Sequence, residues 1–193
     1  MDFKRPPEYY DTFALRDSSG HEAVMSSFPY FRSGASRRAI MRGEPVPVQS
    51  CWNGIVVFDA KPFYDSVQLE FRGISDSLAA FHLEGSECCL IHADNPLTQT
   101  RGVWLNPNVR VGYSAEAYSE VHQGSIWPSA IVGLVGIWIN RFWRWTTTTH
   151  LKSSTVNSRL RQWKAGDAGR SEPGTHCLIN EMQVLIENGW AHV

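Results

Sequence analysis

PVPVQSCWNGIVVFDA, residues 45–60, is the stretch on which the fold turns. Proline fixes φ and lacks an amide donor, so Pro45-Val46-Pro47-Val48 is barred from a helix. It leads into a polar, aromatic elbow, Ser50-Cys51-Trp52-Asn53-Gly54. The apolar run Ile55-Val56-Val57-Phe58 follows and Asp59 closes it. Continuous β-branched residues ended by a carboxylate predict a buried strand covered on both faces. At the mouth of that strand, Trp52 offers a flat apolar face and Asn53 both donors and acceptors, beside Gly54. That combination suits a polyhydroxylated ligand. A tryptophan that merely closes a strand end reads the same way, and only the rest of the chain separates the two.

The chain has 193 residues, one domain or a large part of one, and its 42% hydrophobic content is ample for a core. Eight tryptophans point to carbohydrate contact, a membrane-facing surface, or both. A formal charge of −1 and the lack of a basic run exclude non-specific nucleic-acid binding. Cys51, Cys88, Cys89 and Cys177 are too few and too irregular for a disulfide scaffold or a zinc finger. They leave room for one bridge, though not between the neighbours Cys88 and Cys89. No signal peptide opens the chain, and no apolar stretch reaches the length of a spanning helix. Met1-Asp2-Phe3 opens like the end of a strand, so the chain reads as a truncated one.

Working outward, Tyr9 to Leu15 reads as a strand that ends in the turn Arg16-Asp17-Ser18-Ser19-Gly20-His21. Arg16 and Asp17 form either a phosphate- or hydroxyl-binding pair or a solvated turn. Ser26 to Ser36 is irregular and aromatic, and Ser36 to Arg42 is a short basic helix stopped by Gly43 and Pro45. Lys61 to Tyr64 is a turn or one helical turn, and Ser75 to Phe81 another. Val67, Leu69 and Phe71 alternate with polar residues and predict a half-buried strand. Ser86 is a plausible N-cap with Glu87 in the first turn and Pro96 at the end, although a strand through Cys88 to Ile91 competes.

Val103 to Tyr113 is a strand interrupted by Pro107, and Ala115 to His122 a short helix. Trp127 to Trp145 is apolar, then aromatic and basic. It reads as a helix packed on the domain or as an interfacial or partner-docking helix. Val156, Leu160 and Trp163 share one helical face. Ala165 to Thr175 is a loop, and Leu178, Met182 and Leu185 predict a last amphipathic helix ended by Asn188-Gly189.

No nucleophile elbow, zincin motif, P-loop or dinucleotide fingerprint is present. The candidates for chemistry are scattered carboxylates, among them Asp17, Asp59, Glu84, Glu87 and Asp94, together with His82 and His92. Two carboxylates near a sugar point to hydrolysis or glycosyl transfer. His92 with Glu87 or Asp94 makes either a weak divalent-ion site or a hydrogen-bonded structural histidine.

YDTFALRDSSGH, PVPVQSCWNGIVVFDA, FRGISDSLAAFHLEGSECCLIHADNP, GVWLNPNVRVGY and CLINEMQVLIENGW together resemble the fungal capsule-associated α-1,3-mannosyltransferases, the cryptococcal type of glycosyltransferase family 69. The resemblance runs from Asp2 to Val193. It implies an α/β fold, here the C-terminal part of a GT-A-like nucleotide-sugar glycosyltransferase domain with a mixed sheet flanked by helices. It implies GDP-mannose as donor, a glycan acceptor, a divalent metal (usually manganese), and a Golgi location behind an N-terminal membrane anchor. The Asp-x-Asp motif that holds metal and diphosphate in such enzymes is not in this sequence, nor is the anchor, so membrane contact is expected only through that missing segment.

Carried onto this chain, the resemblance makes Glu84 and Glu87 the catalytic candidates. It gives the acceptor side to Trp52, Asn53, Gly54 and Asp59, the donor side to Arg16 and Asp17, and a weak metal role to His92. Residues 1–125 would be the transferase part and 126–193 a helical extension packed on it. The expected function is mannose transfer by a fragment weak or inactive alone. The alternative is a non-catalytic carbohydrate-binding or polysaccharide-export-associated protein.

Overall fold

The computed structural model describes residues 1–5, 8–9, 12–22, 28–122, 128–146, 149–180, 183–187 and 189–192. The decisive stretch does form a strand, but one step earlier than its apolar run. β4 (Val46–Ser50) is the middle of three antiparallel strands, between β3 (Arg16–Asp17) and β6 (Val103–Leu105). Val46, Val48 and Ser50 are buried, while Pro47 and Gln49 between them are half-buried. Strand alternation therefore falls on the Pro-Val-Pro-Val segment. Pro47 pairs with Trp104 of β6, whereas β3 reaches only Val48 and Ser50. Beside Pro47 the ladder is open, so its missing N–H breaks no pairing.

Ile55 to Phe58, predicted as the buried strand, is instead irregular, and Ile55 and Val57 are 62% and 89% exposed. Gly54 sits at φ 72° and turns the chain off the line of β4, which leaves the apolar run beside a cleft.

α1 (Gly34–Arg42) covers this sheet and buries Ala39 and Ile40 against Val46, Val48 and Leu105. Its expected stop holds: Gly43 is left-handed at φ 67° and its amide donates back to Ile40. Tyr9, Leu15, Phe28, Tyr30 and Phe31 complete the main core. The predicted strand from Tyr9 to Leu15 is not continuous. Tyr9 ends β2 (Glu8–Tyr9), Tyr10 and Asp11 lie outside the described residues, and Leu15 precedes β3. β2 pairs antiparallel with β1 (Asp2–Arg5), which pairs parallel with β7 (Val111–Gly112). α6 (Ala115–His122) packs on β7 so closely that a Cβ on Gly112 would strike the Tyr118 amide.

A second body of packing surrounds α4 (Glu87–Asp94), which wins over the competing strand. Cys89 of α4 is bonded to Cys177 across 88 residues, and both are fully buried beside Leu90 and Ala14. Next to the bridge, β5 (Glu84–Gly85) pairs with β8 (Leu178–Ile179). α3 (Asp76–Ala79) and Leu83 receive the predicted face of α8 (Thr149–Ala165): Trp163 is buried, with Val156 and Leu160 beside it. The short helices α2 (Lys61–Tyr64) and α5 (Thr98–Arg101) edge the connections.

Two further expectations are corrected. Val67 to Phe71 is not a strand: Gln68 has φ 46°, only Leu69 is buried, and its amide bonds to the Pro62 carbonyl. Leu178 onward is not a helix. After the one-turn 3-10 segment Thr175–Cys177 and β8 come β9 (Gln183–Ile186) and β10 (Gly189–His192), an antiparallel hairpin. Met182 lies outside the described residues. An Asn-Gly pair is as much a hairpin-turn signal as a helix stop, and a short apolar pattern fits either period. The architecture is thus mixed helix and sheet, compatible with α/β. It is assembled from small sheets rather than one broad one.

α7 (Ala130–Thr146) is the predicted apolar helix, with Trp127 outside the described residues. It is buried at Gly133 and Asn140, while its large apolar side chains face out.

Candidate functional site

Two clefts flank the three-stranded sheet at opposite edges. The first, about 530 Å³, lies on the β3 side between the Phe13 to Glu22 turn, the end of α7, the first turns of α8 and residues 175–180. Arg32, Arg144 and Lys152 line it, and among its lining residues Glu22 is the sole carboxylate. Ser153, Asn157, Thr175 and Asn180 add hydroxyls and amides.

The guanidinium groups here crowd one another. Burial holds Arg144 below the ordinary arginine range, and repulsion from Arg32, Arg37 and Arg141 lowers it further. Arg37 is lowered in the same way, by burial and then by Arg141. Asp17 opposes these shifts, but its carboxylate is already occupied. Its Oδ1 accepts from the Ser19 and His21 amides at 2.8 and 3.1 Å, its Oδ2 from the Ser33 amide at 2.5 Å. Arg32, Arg144 and Lys152 thus outnumber Glu22, the one carboxylate among the lining residues, and the balance of charge in the cleft is positive.

Arg16 lines the same cleft from beneath. It is 1% exposed, and its Nε donates to the His176 carbonyl at 2.7 Å. Its Nη1 donates to the Phe13 and Leu15 carbonyls at 2.8 and 3.0 Å. Arg16 and Asp17 therefore shape the loop on which the cleft is built: backbone groups engage both, Glu22 lies 3.8 Å from Arg16 Nη2, and His21 Nδ1 lies 3.3 Å from Asp17 Oδ1. His176 lies over Arg16; burial, then the Arg16 charge, lowers its pKa, and its Nε2 is buried without a hydrogen-bond partner.

The second cleft, about 640 Å³, is more apolar and lies on the β6 side. Asn53, Asp59 and His92 meet there with Ile55, Phe58 and Trp104. Asp59 is held by Arg101 Nη1 at 2.6 Å and accepts from the Lys61 amide at 2.9 Å. His92 is 3% exposed; its Nε2 lies 2.9 Å from the Cys51 carbonyl and its ring stacks on Phe58. Burial lowers its pKa, so the neutral ring donates to that carbonyl.

The remaining predicted residues lie elsewhere. Trp52 packs edge-on against Phe71 at 5.7 Å and touches Phe58, within the packing around the disulfide. Gly54 is exposed and abuts Val111. Glu84 is half-buried in β5 and Glu87 is exposed at the start of α4, where it accepts from the Cys88 thiol. Neither glutamate lines either of these two clefts.

Arg72 was not singled out in the sequence, yet it forks into two carboxylates. Nε and Nη2 bind Asp94, at 2.5 and 2.9 Å, and Nη1 and Nη2 bind Glu172, at 3.0 and 2.8 Å. These bonds raise its pKa and tie α4 to the loop before Cys177.

The residues were tested for a divalent metal. Among the described residues one group of three potential ligands converges, Cys89, His176 and Cys177, and both sulfurs are in the disulfide. Manganese prefers carboxylate oxygen. The described residues do not fit that ion, and no step is derived through it.

Arg32, Arg144, Lys152 and His176 were missed in the sequence. Arg32 precedes α1, Arg144 and Lys152 lie on the successive helices α7 and α8, and His176 lies in the 3-10 turn, so three separate regions of the chain meet here; the only hint was the basic, aromatic end of the Trp127 to Trp145 stretch.

Fold and site together define a disulfide-tied protein of mixed helix and sheet, compatible with α/β, with an arginine-lined cleft. Residues 1–94 match the model of the family described as Cryptococcal mannosyltransferase 1. No curated protein and no solved structure matches the chain.

Proposed function

We propose that this protein is a mannosyltransferase-type protein that takes GDP-mannose in the arginine-lined cleft, with the donor diphosphate between Arg32, Arg144 and Lys152. The observation that carries the reading is the convergence of Arg32, Arg144 and Lys152 on a cleft lined by a single carboxylate, Glu22, which lies 3.8 Å from the Arg16 guanidinium. The family match supports the sugar and its donor class. Leaving-group departure from a nucleotide sugar places negative charge on the diphosphate, and fixed cations in a partly buried site stabilise that charge. Ser153, Asn157 and Asn180 are suited to sugar hydroxyls. A GT-A-like fold belongs to the reading on the resemblance alone. A lumenal, Golgi-type location agrees with the buried disulfide, since such bridges persist in oxidising compartments.

The second reading, a carbohydrate-binding protein without transferase activity, is favoured by one arrangement. The cleft holding Asn53 and Asp59 lies across the sheet from the basic one, and neither Glu84 nor Glu87 reaches either.

Calorimetric titration with GDP-mannose, GDP and free mannose, each with and without manganese, tests the donor site. GDP and GDP-mannose should bind and free mannose should not. Arg144→Gln should weaken the nucleotide by roughly ten- to a hundred-fold, the worth of one charge-assisted hydrogen bond. No nucleotide binding by folded protein, or unchanged affinity in Arg144→Gln, overturns the reading. Transfer of labelled mannose to a mannan acceptor separates the transferase from the binding protein.

A further inference from the structure

An ordinary surface helix turns its apolar side to the core and its polar side to water. α7 does the opposite. Its protein-facing positions are Gly133, Gly136, Asn140 and Arg144, spaced three or four apart on one face. A Cβ on Gly133 would lie 3.0 Å from Met41 Cε and 3.1 Å from Phe28, and one on Gly136 would strike the Phe28 carbonyl. The helix is thus seated closely, by its small and polar residues. Nine large apolar side chains of α7 are 47% to 74% exposed, among them Ile131, Val135, Trp138, Ile139, Phe142 and Trp145.

The charge around this face is one-sided. From Val121 to Gly166 there is no Asp or Glu, and there are six Lys or Arg, in a chain whose formal charge is −1. A second copy of the same face would bring like charge to like charge. An anionic lipid surface offers the opposite charge together with an apolar interior. Tryptophan favours the boundary between them, and the outward face carries Trp138, Trp143 and Trp145. Arg141 lies over the Trp138 ring at 4.8 Å, placed to reach upward to headgroups from the flank of the helix. At 17 residues α7 is about 26 Å long. No helix among the described residues is long and apolar enough to cross a membrane.

We propose that α7 lies in the plane of an anionic membrane surface, its Ile131 to Trp145 face among the lipids, as a membrane contact of this chain itself. The Arg144-lined cleft then opens close to the lipid surface. The proposal stands independently of what fills that cleft.

The test is co-sedimentation of the full chain with vesicles of phosphatidylcholine alone and of phosphatidylcholine mixed equally with phosphatidylserine, followed also by tryptophan fluorescence. The chain should pellet with the anionic vesicles, with a blue-shifted emission and less strongly at high salt. W138E/F142E alters only exposed positions, so its circular dichroism should match the parent. It should bind at least about tenfold more weakly, because two aromatic anchors are replaced by carboxylates that an anionic surface repels. A parent that stays in the supernatant with both vesicles overturns the proposal, as does undiminished binding by W138E/F142E. A parent dimer that this variant dissolves, without vesicle binding, assigns the face to a second copy and overturns it too.

Discussion

Replacing both Cys89 and Cys177 by alanine should cost this protein a large share of its stability. The bridge spans 88 residues and joins α4 to the segment that enters β8. Without it, the unfolded chain regains the freedom of that whole loop. The chain-entropy relation gives about 15 cal/mol/K for such a loop, or about 4.6 kcal/mol at room temperature. Both sulfurs are fully buried, so alanine leaves small voids and adds to the loss rather than offsetting it. Urea unfolding followed by tryptophan fluorescence is the assay. With a slope of about 2 kcal/mol per molar, the midpoint should fall by about 2 M. The parent under reductant should fall by a similar amount, which ties the change to the bond rather than to the side chains. A midpoint within about 0.3 M of the parent, with the parent shown to be oxidised, would refute the reasoning.

Acid should destabilise the fold through His92 and His176. Burial is the first cause that lowers both below the ordinary imidazole value of 6.5, so the unfolded chain binds protons where the folded one does not. Stability is therefore full above that value and is lost as pH falls from it toward the lowered folded values. Thermal scans from about pH 7.5 to about pH 5 should show this slope, and a His92→Gln/His176→Gln double variant should flatten it; an unchanged slope refutes the assignment. Gly136→Ala places a methyl against the Phe28 carbonyl and should lift α7 from its seat, at a cost of about 1–3 kcal/mol. Faster protease cleavage within Ala130–Thr146 checks it, and parental resistance would show that α7 does not sit on its glycine face.

Much of the local structure was legible because its signals are local. Gly43 ends α1, Ser86 and Pro96 bracket α4, and the Val156, Leu160 and Trp163 stripe marks α8. Each depends on backbone preferences or a periodicity within a few turns. The errors came where two periods fit one short run. Leu178 and Leu185 satisfied a helix and belong to strands, and Ile55 to Phe58 looked buried although β4 had already taken the core positions with Val46 and Val48.

The site was less legible than the fold. Asn53, Asp59 and His92 do share a cleft, the first two as near neighbours in sequence and His92 because α4 packs beside the elbow. The roles of Arg16 and Asp17 were open to sequence because a guanidinium and a carboxylate look equally suited to ligand or backbone. Their burial beneath carbonyls and amides is a tertiary fact. The same holds for Arg72, whose two partners lie 22 and 100 residues away.

By itself the sequence determined the stops and starts at Gly43, Ser86 and Pro96, that one disulfide had room to form, and the family likeness of residues 1–94, because those depend on residue identity in order. Tertiary structure alone decided which cysteines pair, which arginines converge on one cleft, and which face of α7 turns outward. Those depend on how distant segments approach, and an apolar helix of 17 residues reads the same whether its glycines or its tryptophans meet the protein.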